Sequence, residues 1–298
     1  MFTSWPLLAV FGCAVVYTIG ALCAKRALST GATVWQVNFA ANMAMSILFL
    51  PFWFGADVTR MLTDSYKPIL AAGAFFTGQL FTFAALRQGD VSVATPLLGA
   101  KVIFVAFITS FLFGDPVGVK WWVAAAICTC GIFLVTGAQP RTEAWRRHSA
   151  KTALYSLIAA LAFALTDTLI QHWAVEMGVV TFVAVMFSFV GILTCCLYVP
   201  AVGFRQLVNS PRIARKALVF GALILGAQNL VMAVAIRFSG DATAVNIVYS
   251  SRCVLSVVLA WATARWLGSR EATLPRRVLV LRLAGALLLA SAIVMVML

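Results

Sequence analysis

Ten long apolar segments occupy most of this 298-residue chain, and they constrain its fold more than any other feature. Each is about as long as the roughly 20 apolar residues that an α-helix needs to cross a bilayer. Only short connectors separate them, so the sequence predicts ten transmembrane helices and no folded unit outside the membrane. The segments cover 5–24, 33–54, 67–87, 91–113, 119–138, 151–173, 178–200, 215–237, 241–266 and 278–297.

The composition supports a membrane protein. Hydrophobic residues make up 63% of the chain and charged residues only 10%, whereas an ordinary soluble domain has about 25% charged residues. The net charge of +13 therefore does not indicate a nucleic-acid partner. In a membrane protein, a basic excess is typical of cytoplasmic loops that face anionic lipid. We expect membrane lipid, and no nucleic acid, as a partner.

The basic residues that lie between the apolar segments or near their ends are distributed unevenly. Fifteen Lys and Arg residues follow odd-numbered segments, and four follow even-numbered segments. Because loops rich in Lys and Arg tend to stay in the cytoplasm, the odd-numbered loops are predicted to be cytoplasmic. Both termini are then outside, and the chain is expected to be a multi-pass protein of the cell (inner) membrane.

The two halves of the chain contain the same motif. In each half an apolar helix ends in Arg and is followed by Gly-Asp and a new helix, at Gly89-Asp90 and, 151 residues later, at Gly240-Asp241. Each half has five segments, so the second half must enter the membrane upside down relative to the first. Inverted repeats of this kind are typical of secondary transporters, although a channel or a scaffold can also be duplicated.

The predicted fold is therefore an all-α membrane protein with ten transmembrane helices in two inverted five-helix repeats. The first repeat covers residues 1–138 and the second covers residues 151–298. A basic cytoplasmic linker, residues 139–150, is expected to join them.

Further motifs surround the Gly-Asp turns. In the first half, Gly89–Leu98 opens a helix after a short turn, and Phe111–Val117 leads through Gly-Asp into a helix that contains glycine. The second half is similar at Gly240–Ala244, Arg270-Glu271 and Gly285–Ser291. These features resemble the EamA-type drug/metabolite transporter superfamily over nearly the whole chain. The resemblance implies two inverted five-helix bundles around a central cavity, lined largely by the third, fourth, eighth and ninth helices, but it does not specify a substrate.

Two basic residues lie at membrane depth. Lys101 is near the middle of the fourth segment and Arg252 is near the middle of the ninth, and 151 residues again separate them. They are predicted to face each other across the pseudo-two-fold axis. A cation at the centre of a bilayer costs about 2.5–3.5 kcal/mol, so each needs a counter-ion or a function. We expect both to bind an anionic substrate, Arg252 as a planar fork and Lys101 as a point charge.

Asp167 is the one acidic residue that lies clearly inside a segment, and two interpretations of it stay open. In the first, Asp167 forms a buried structural pair with one of the two bases, and the other base reaches towards water. In the second, both bases face a hydrated cavity. Asp167 is then a proton or coupling site, or a partner that holds a base when the substrate is absent.

Other polar residues inside the segments are candidates for binding the same substrate. Asn246, Tyr249 and Arg252 are spaced three apart and form one stripe on the ninth helix, and Thr95 precedes Lys101 on the fourth. Hydrogen bonding between helices is the alternative role for the amide side chains. The remaining candidates, on the first, second, third and eighth helices, are Tyr17, Asn38, Asn42, Gln79, Gln228 and Asn229.

These features predict a secondary transporter of a small organic anion, either a phosphorylated or a carboxylated metabolite, that works by alternating access. The plastid phosphate translocators of the same superfamily are similar in using basic residues on equivalent helices, which favours exchange of one anion for another (an antiporter). Proton-coupled export of amino acids or drugs and flipping of a lipid headgroup are the alternatives.

An enzyme is not expected from this sequence. It has no Ser-His-Asp set or paired carboxylates at membrane depth, and its seven cysteines lack the spacing of a metal site. We therefore predict neither a cofactor nor a metal. One chain contains both repeats, so a monomer is expected to be sufficient for transport.

Overall fold

The computed structural model of this chain describes residues 5–113, 119–137, 143–239, 248–267 and 274–297. The described residues form α-helices joined by short turns, and no β-strand occurs among them. Within these ranges, six helices are long and apolar enough to cross a membrane, and three shorter apolar helices accompany them. An all-α membrane protein is therefore confirmed, while the total of ten transmembrane helices stays a prediction.

The helices fall into an N-terminal part, residues 5–137, and a C-terminal part, residues 143–297. The N-terminal part contains α1 (Trp5–Ser29), α2 (Val34–Phe49), a 3-10 helix (Leu50–Gly55), α3 (Val58–Asp64), α4 (Tyr66–Gln88), α5 (Val91–Leu98), α6 (Lys101–Phe113) and α7 (Val119–Gly137). The C-terminal part contains α8 (Glu143–Met177), α9 (Val179–Val202), α10 (Phe204–Val208), α11 (Arg212–Ser239), α12 (Arg252–Leu267) and α13 (Arg276–Met297).

The packing of the helices is reciprocal between the two parts. Helix α1 lies against α11, and α8 lies against α4. Helices α2 and α9 contact each other, and α2 also contacts α11 while α9 contacts α4. The last helices of the two parts, α7 and α13, pack together as well. The two parts therefore bury much of their apolar surface against each other, and the core runs through their interface.

An aromatic cluster marks the centre of this interface. The rings of Phe49 on α2 and Phe187 on α9 are stacked, with their centroids 4.0 Å apart. The ring of Phe75 on α4 meets Phe187 edge-on at 5.3 Å. All three side chains are buried, and such pairs add about 0.5–1.5 kcal/mol each beyond the burial of their area. This cluster fixes α2, α4 and α9 relative to one another.

The fourth apolar segment is not the continuous helix that the sequence predicts. Helix α5 ends at Leu98 and α6 begins at Lys101. Between them, the N–H groups of Gly99 and Ala100 donate to carbonyls three residues back, at 2.8 and 3.1 Å, instead of four. Pro96 lies inside α5, three residues before the interruption, and its missing N–H affects only the turn that precedes it. Gly99 contributes to the interruption because glycine is a poor helix former.

The ninth segment is interrupted at the equivalent place. Helix α12 begins at Arg252, and the N–H of Ser251 donates to the carbonyl of Val248 at 3.2 Å, again three residues back. Lys101 and Arg252 are therefore not mid-helix residues, since each is the first residue of a new helical segment.

The predicted linker is also largely helical. Helix α8 begins at Glu143, although only residues 150–174 of it are apolar enough to cross a membrane. Once a helix has formed, each further residue adds a hydrogen bond at little cost, so the apolar part extends readily into a polar stretch. The boundary between membrane and loop is thus set by polarity, not by the end of the helix.

Two glycines allow α7 and α13 to pack closely, and one of them supplies a test of this packing. A Cβ atom at Gly285 would lie 2.7 Å from the backbone oxygen of Gly131, which cannot move aside. We expect Gly285→Ala to lower the free energy of unfolding, measured in detergent micelles, by about 1–3 kcal/mol, the usual cost of overpacking. The control is Gly12→Ala on α1, where an added Cβ meets nothing within 4 Å. Equal stability of the two variants would contradict the close packing.

Candidate functional site

Lys101 and Asp167 form an ion pair between α6 and α8. The Nζ of Lys101 donates to Oδ2 of Asp167 at 2.6 Å. The side chain of Lys101 is 16% exposed and that of Asp167 is 41% exposed. This is a pair that both sequence interpretations of Asp167 allowed, and it neutralises Lys101. That Lys101 and Arg252 face each other across the pseudo-two-fold axis stays a prediction.

Arg252 has a different environment. It is 8% exposed, and the centre of its guanidinium lies 4.4 Å from the ring centroid of Tyr249 and 4.9 Å from that of Tyr17. Its Nη1 donates to the hydroxyl of Tyr249 at 3.2 Å. Among the residues that the structure describes, no carboxylate oxygen lies within 4 Å of Arg252. Arg252 is thus held by two aromatic rings, and it does not reach out to water.

The two rings can stabilise this buried cation without removing its charge. A cation–π contact contributes about 0.5–1 kcal/mol when exposed and about 2 kcal/mol when desolvated. Two such contacts offset much of the roughly 2.5–3.5 kcal/mol that a cation costs at the bilayer centre. The full positive charge stays, and one hydrogen bond to a described residue engages only one of the five N–H donors of the guanidinium.

Lys101 and Arg252 are positioned by different helices. Helix α12, which begins with Arg252, packs against both α5 and α1, and α6, which begins with Lys101, packs against α8. The structure therefore places Arg252 with Tyr17 and Tyr249, and Lys101 with Asp167. Asn246, the remaining member of the predicted stripe on the ninth helix, lies outside the described residues.

The two predicted asparagines of α2 are in contact with each other and with α9. Both Asn38 and Asn42 are fully buried. The Nδ2 of Asn42 donates to Oδ1 of Asn38 at 2.6 Å and to Oγ1 of Thr194 at 2.9 Å. These are hydrogen bonds between helices, the alternative role that the sequence left open for them, and they tie α2 to α9.

The predicted amides of the third and eighth apolar segments meet at a methionine. The Nε2 of Gln79 on α4 and the Nδ2 of Asn229 on α11 lie 3.5 and 3.8 Å from the sulfur of Met45 on α2. Gln228 is buried, and its backbone carbonyl accepts a hydrogen bond from the thiol of Cys13. Thr95 is buried within α5. These residues surround the core of the protein, and their part in binding a substrate stays a prediction.

One buried ion pair was missed by the sequence analysis. The Nη2 of Arg282 on α13 donates to Oδ2 of Asp90 at 3.0 Å, and Nη1 donates to the hydroxyl of Ser92 at 2.6 Å. Arg282 is 0% exposed and the side chain of Asp90 is 6% exposed. Asp90 precedes α5, as expected of a capping residue, but its side chain makes no capping hydrogen bond. A lone Arg inside an apolar segment was the available signal, because a buried arginine requires an acidic partner.

These features define a helical membrane protein with charged groups held at membrane depth, as transporters have. Residues 4–137 match the EamA-like transporter family. The resemblance that the motifs indicate is thus confirmed, and the N-terminal part of the chain carries the match. The chain is a multi-pass membrane protein whose N-terminal part is similar to this transporter family.

Curated relatives match parts of the chain. An uncharacterized transporter of Archaeoglobus fulgidus is 23% identical over 136 residues, which are 45% of this chain and 47% of that protein. A probable 4-amino-4-deoxy-L-arabinose-phosphoundecaprenol flippase subunit ArnE of Proteus mirabilis is 29% identical over 40% of this chain and 85% of its own. The corresponding subunit of Pseudomonas syringae pv. syringae is 30% identical over 22% and 59%. The matched region thus spans about half of the length of two of these relatives.

The fold of the whole chain is found in a solved structure. A crystal structure, described only as that of a protein, superposes on 98% of this chain and 96% of its own with a TM-score of 0.63. The sequence identity is 12%. This likeness extends over both parts of the chain, and it concerns the fold alone.

Proposed function

We propose that this protein is a secondary transporter that moves a small organic anion across the membrane by alternating access. The observation that carries the proposal is the environment of Arg252, a buried cation with no carboxylate within 4 Å among the described residues. A guanidinium offers a planar fork that matches a carboxylate or a phosphate. The anion therefore binds at Arg252, and the rings of Tyr17 and Tyr249 hold the guanidinium in position.

The interrupted helices add to the attraction for an anion. Lys101 and Arg252 are the first residues of α6 and α12, and the N-terminus of a helix carries a partial positive charge. Broken helices whose ends meet the substrate near the bilayer midplane are common in secondary transporters. In this arrangement Arg252 supplies the net positive charge of the site, because Asp167 neutralises Lys101.

The reciprocal packing supports a fold of ten transmembrane helices in two inverted repeats, residues 1–138 and 151–298. Helix α1 pairs with α11 as α8 pairs with α4, which is the pattern that a pseudo-two-fold axis produces. The fifteen basic residues in odd-numbered loops support cytoplasmic loops on that side and external termini, in the cell inner membrane. In this proposal the protein carries out transport and no catalytic step.

Exchange is the mode of transport that the unneutralised Arg252 favours. To reorient without a substrate, the protein would have to carry an uncompensated cation through a closed, poorly solvated state. A bound anion removes that cost in both directions, so each turnover swaps one anion for another. Proton-coupled export, the alternative, requires Asp167 to release Lys101 and take up a proton.

A lipid-linked substrate is the second candidate, and the names of the relatives favour it. Relatives named as probable 4-amino-4-deoxy-L-arabinose-phosphoundecaprenol flippase subunits match parts of this chain at 29% and 30% identity. A phosphodiester group would bind at Arg252 in the same way as the charged group of a soluble metabolite. The two candidates thus share an anion site and differ in what is attached to the anion.

Counterflow in proteoliposomes tests the proposed function. Purified protein is reconstituted with unlabelled anion inside, and uptake of radiolabelled anion is followed without a proton gradient. We expect uptake that requires the internal anion. Absence of uptake for every soluble anion, together with movement of a fluorescent phospholipid between leaflets, would support the lipid-linked candidate instead.

Asp167→Asn separates exchange from proton coupling. If Asp167 carries the coupling proton, the variant loses the additional uptake that an inward proton gradient drives, because an amide cannot take up a proton. Counterflow needs no proton gradient, so it serves as the reference rate within the same variant. The measurement is the ratio of gradient-driven uptake to counterflow, which proton coupling through Asp167 predicts to fall in the variant. An unchanged ratio would exclude Asp167 as the coupling residue.

A further inference from the structure

Tyr17 and Asp167 occupy equivalent positions in the two parts of the chain. They are 150 residues apart, on α1 and α8. Each is followed by a fully buried threonine, Thr18 or Thr168, whose hydroxyl donates at 2.9 Å to the backbone carbonyl four residues before it. The local structure around the two positions is thus the same, and the side chains are different.

Each of these two residues contacts the cation of the opposite part. Asp167 of the C-terminal part holds Lys101 of the N-terminal part at 2.6 Å. Tyr17 of the N-terminal part presents its ring to Arg252 of the C-terminal part at 4.9 Å. The first helix of each part, α1 or α8, therefore contacts the cation of the opposite part, Arg252 or Lys101. A carboxylate makes this contact at one site and a neutral ring makes it at the other.

The charge at the two sites is consequently unequal. The pair of Lys101 and Asp167 is neutral, whereas a tyrosine hydroxyl is uncharged at neutral pH, so Arg252 keeps its positive charge. The described residues at these two contacts carry two positive charges, on Lys101 and Arg252, and one negative charge, on Asp167. A ligand with a single charge would balance the site, and a dianion would place an unpaired negative charge in a poorly solvated region.

We propose that the substrate is a monoanion whose charged group takes, against Arg252, the place that Asp167 holds against Lys101. A monocarboxylate and a phosphodiester both meet this requirement, whereas a phosphomonoester or a dicarboxylate, doubly charged above pH 7, does not. This inference rests on the proposed function, and it adds the charge of the substrate and the residue that determines it. Tyr17 is then a specificity-determining residue. It brings no negative charge to Arg252, whereas an acidic residue at this position would neutralise Arg252 in place of the ligand.

Binding of matched anions to the full-length protein in detergent tests the inference. Isothermal titration calorimetry at pH 8 compares benzoate with isophthalate, and diethyl phosphate with ethyl phosphate, so that each pair differs mainly in charge. We expect the monoanion of at least one pair to bind about tenfold or more tightly than its dianion. Tighter binding of diethyl phosphate would identify a phosphodiester, and tighter binding of benzoate would identify a carboxylate.

Two variants at Tyr17 isolate the effect of charge. Both Tyr17→Asp and Tyr17→Asn remove the ring, but only the first supplies an internal counter-ion for Arg252. We expect Tyr17→Asp to weaken monoanion binding about tenfold or more beyond the loss in Tyr17→Asn. Asp167→Asn, on the other first helix, frees Lys101 and is expected to shift the preference about tenfold towards the dianions. If Tyr17→Asp does not fold, Asp167→Asn tests the inference in its place.

The inference and the proposed function fail in different ways. If the wild-type protein binds none of the four anions, the proposed anion site itself is wrong. If it binds dianions as tightly as monoanions, or if Tyr17→Asp binds monoanions as tightly as Tyr17→Asn, the anion site stands and the monoanion inference is overturned. If Tyr17→Asp does not fold, an unchanged preference in Asp167→Asn overturns it equally.

Discussion

Asp90→Asn is expected to lower the free energy of unfolding by about 3–5 kcal/mol, the usual cost of removing one partner from a buried ion pair. The variant leaves the guanidinium of Arg282, which is 0% exposed, without the carboxylate that lies 3.0 Å from it. Unfolding of the purified protein by SDS in mixed micelles measures the change. The typical stability of a protein is about 5–15 kcal/mol, so a loss of this size would be evident.

The matched control for this prediction is Glu176→Gln. Glu176 also pairs with a basic residue, Lys67, at 2.9 Å, but its side chain is 63% exposed. Exposed ion pairs contribute little because water solvates both charges, so we expect little change. The double variant Asp90→Asn with Arg282→Met should recover part of the loss, because it removes the buried positive charge together with the carboxylate. If Asp90→Asn were as stable as Glu176→Gln, the buried pair would not stabilise the fold.

Arg252→Gln is expected to reduce anion counterflow about 100-fold or more. Truncating one partner of a buried, hydrogen-bonded charge pair costs about 2–5 kcal/mol, and each 1.4 kcal/mol corresponds to a factor of ten. Glutamine keeps a polar side chain of similar length but offers neither the charge nor the fork. Initial rates of uptake in proteoliposomes, normalised to the amount of reconstituted protein, give the comparison.

Two further variants show whether this loss reflects the charge at Arg252. Arg252→Lys keeps the positive charge and loses the fork, so its activity should lie between those of the wild type and Arg252→Gln. Tyr249→Phe keeps the ring and removes the hydroxyl that accepts from Nη1 at 3.2 Å, which should have a much smaller effect. Full counterflow in Arg252→Gln would show that the anion does not bind at this residue.

Much of the fold follows directly from the sequence. Long apolar runs predict membrane helices because unsatisfied backbone groups are too costly in lipid, and α4, α9 and α13 begin and end within two residues of the predicted bounds. The offset of 151 residues relates Lys101 to Arg252, and each of them is the first residue of a helix that follows an interruption. These predictions depend on properties that each segment has by itself.

The partners of the charged groups could not be predicted in the same way. Lys101 pairs with Asp167 because α6 packs against α8. Arg282 pairs with Asp90 because α13 packs against α5. No local sequence pattern encodes these contacts between helices. The interruptions at Gly99 and before Arg252 were missed for a related reason. A turn in which each N–H donates to the carbonyl three residues back can be as apolar as the helices beside it. The hydropathy of the segment therefore does not indicate the interruption.

The position of a bound anion shows directly whether Arg252 forms the anion site. We propose crystals of the full chain grown with 4-bromobenzoate, in which the anomalous signal of bromine locates the ligand without ambiguity. We expect a carboxylate oxygen within about 3 Å of a guanidinium nitrogen of Arg252, the distance of a charged hydrogen bond. A ligand bound elsewhere, with the Arg252 guanidinium touching no anion, would contradict this expectation.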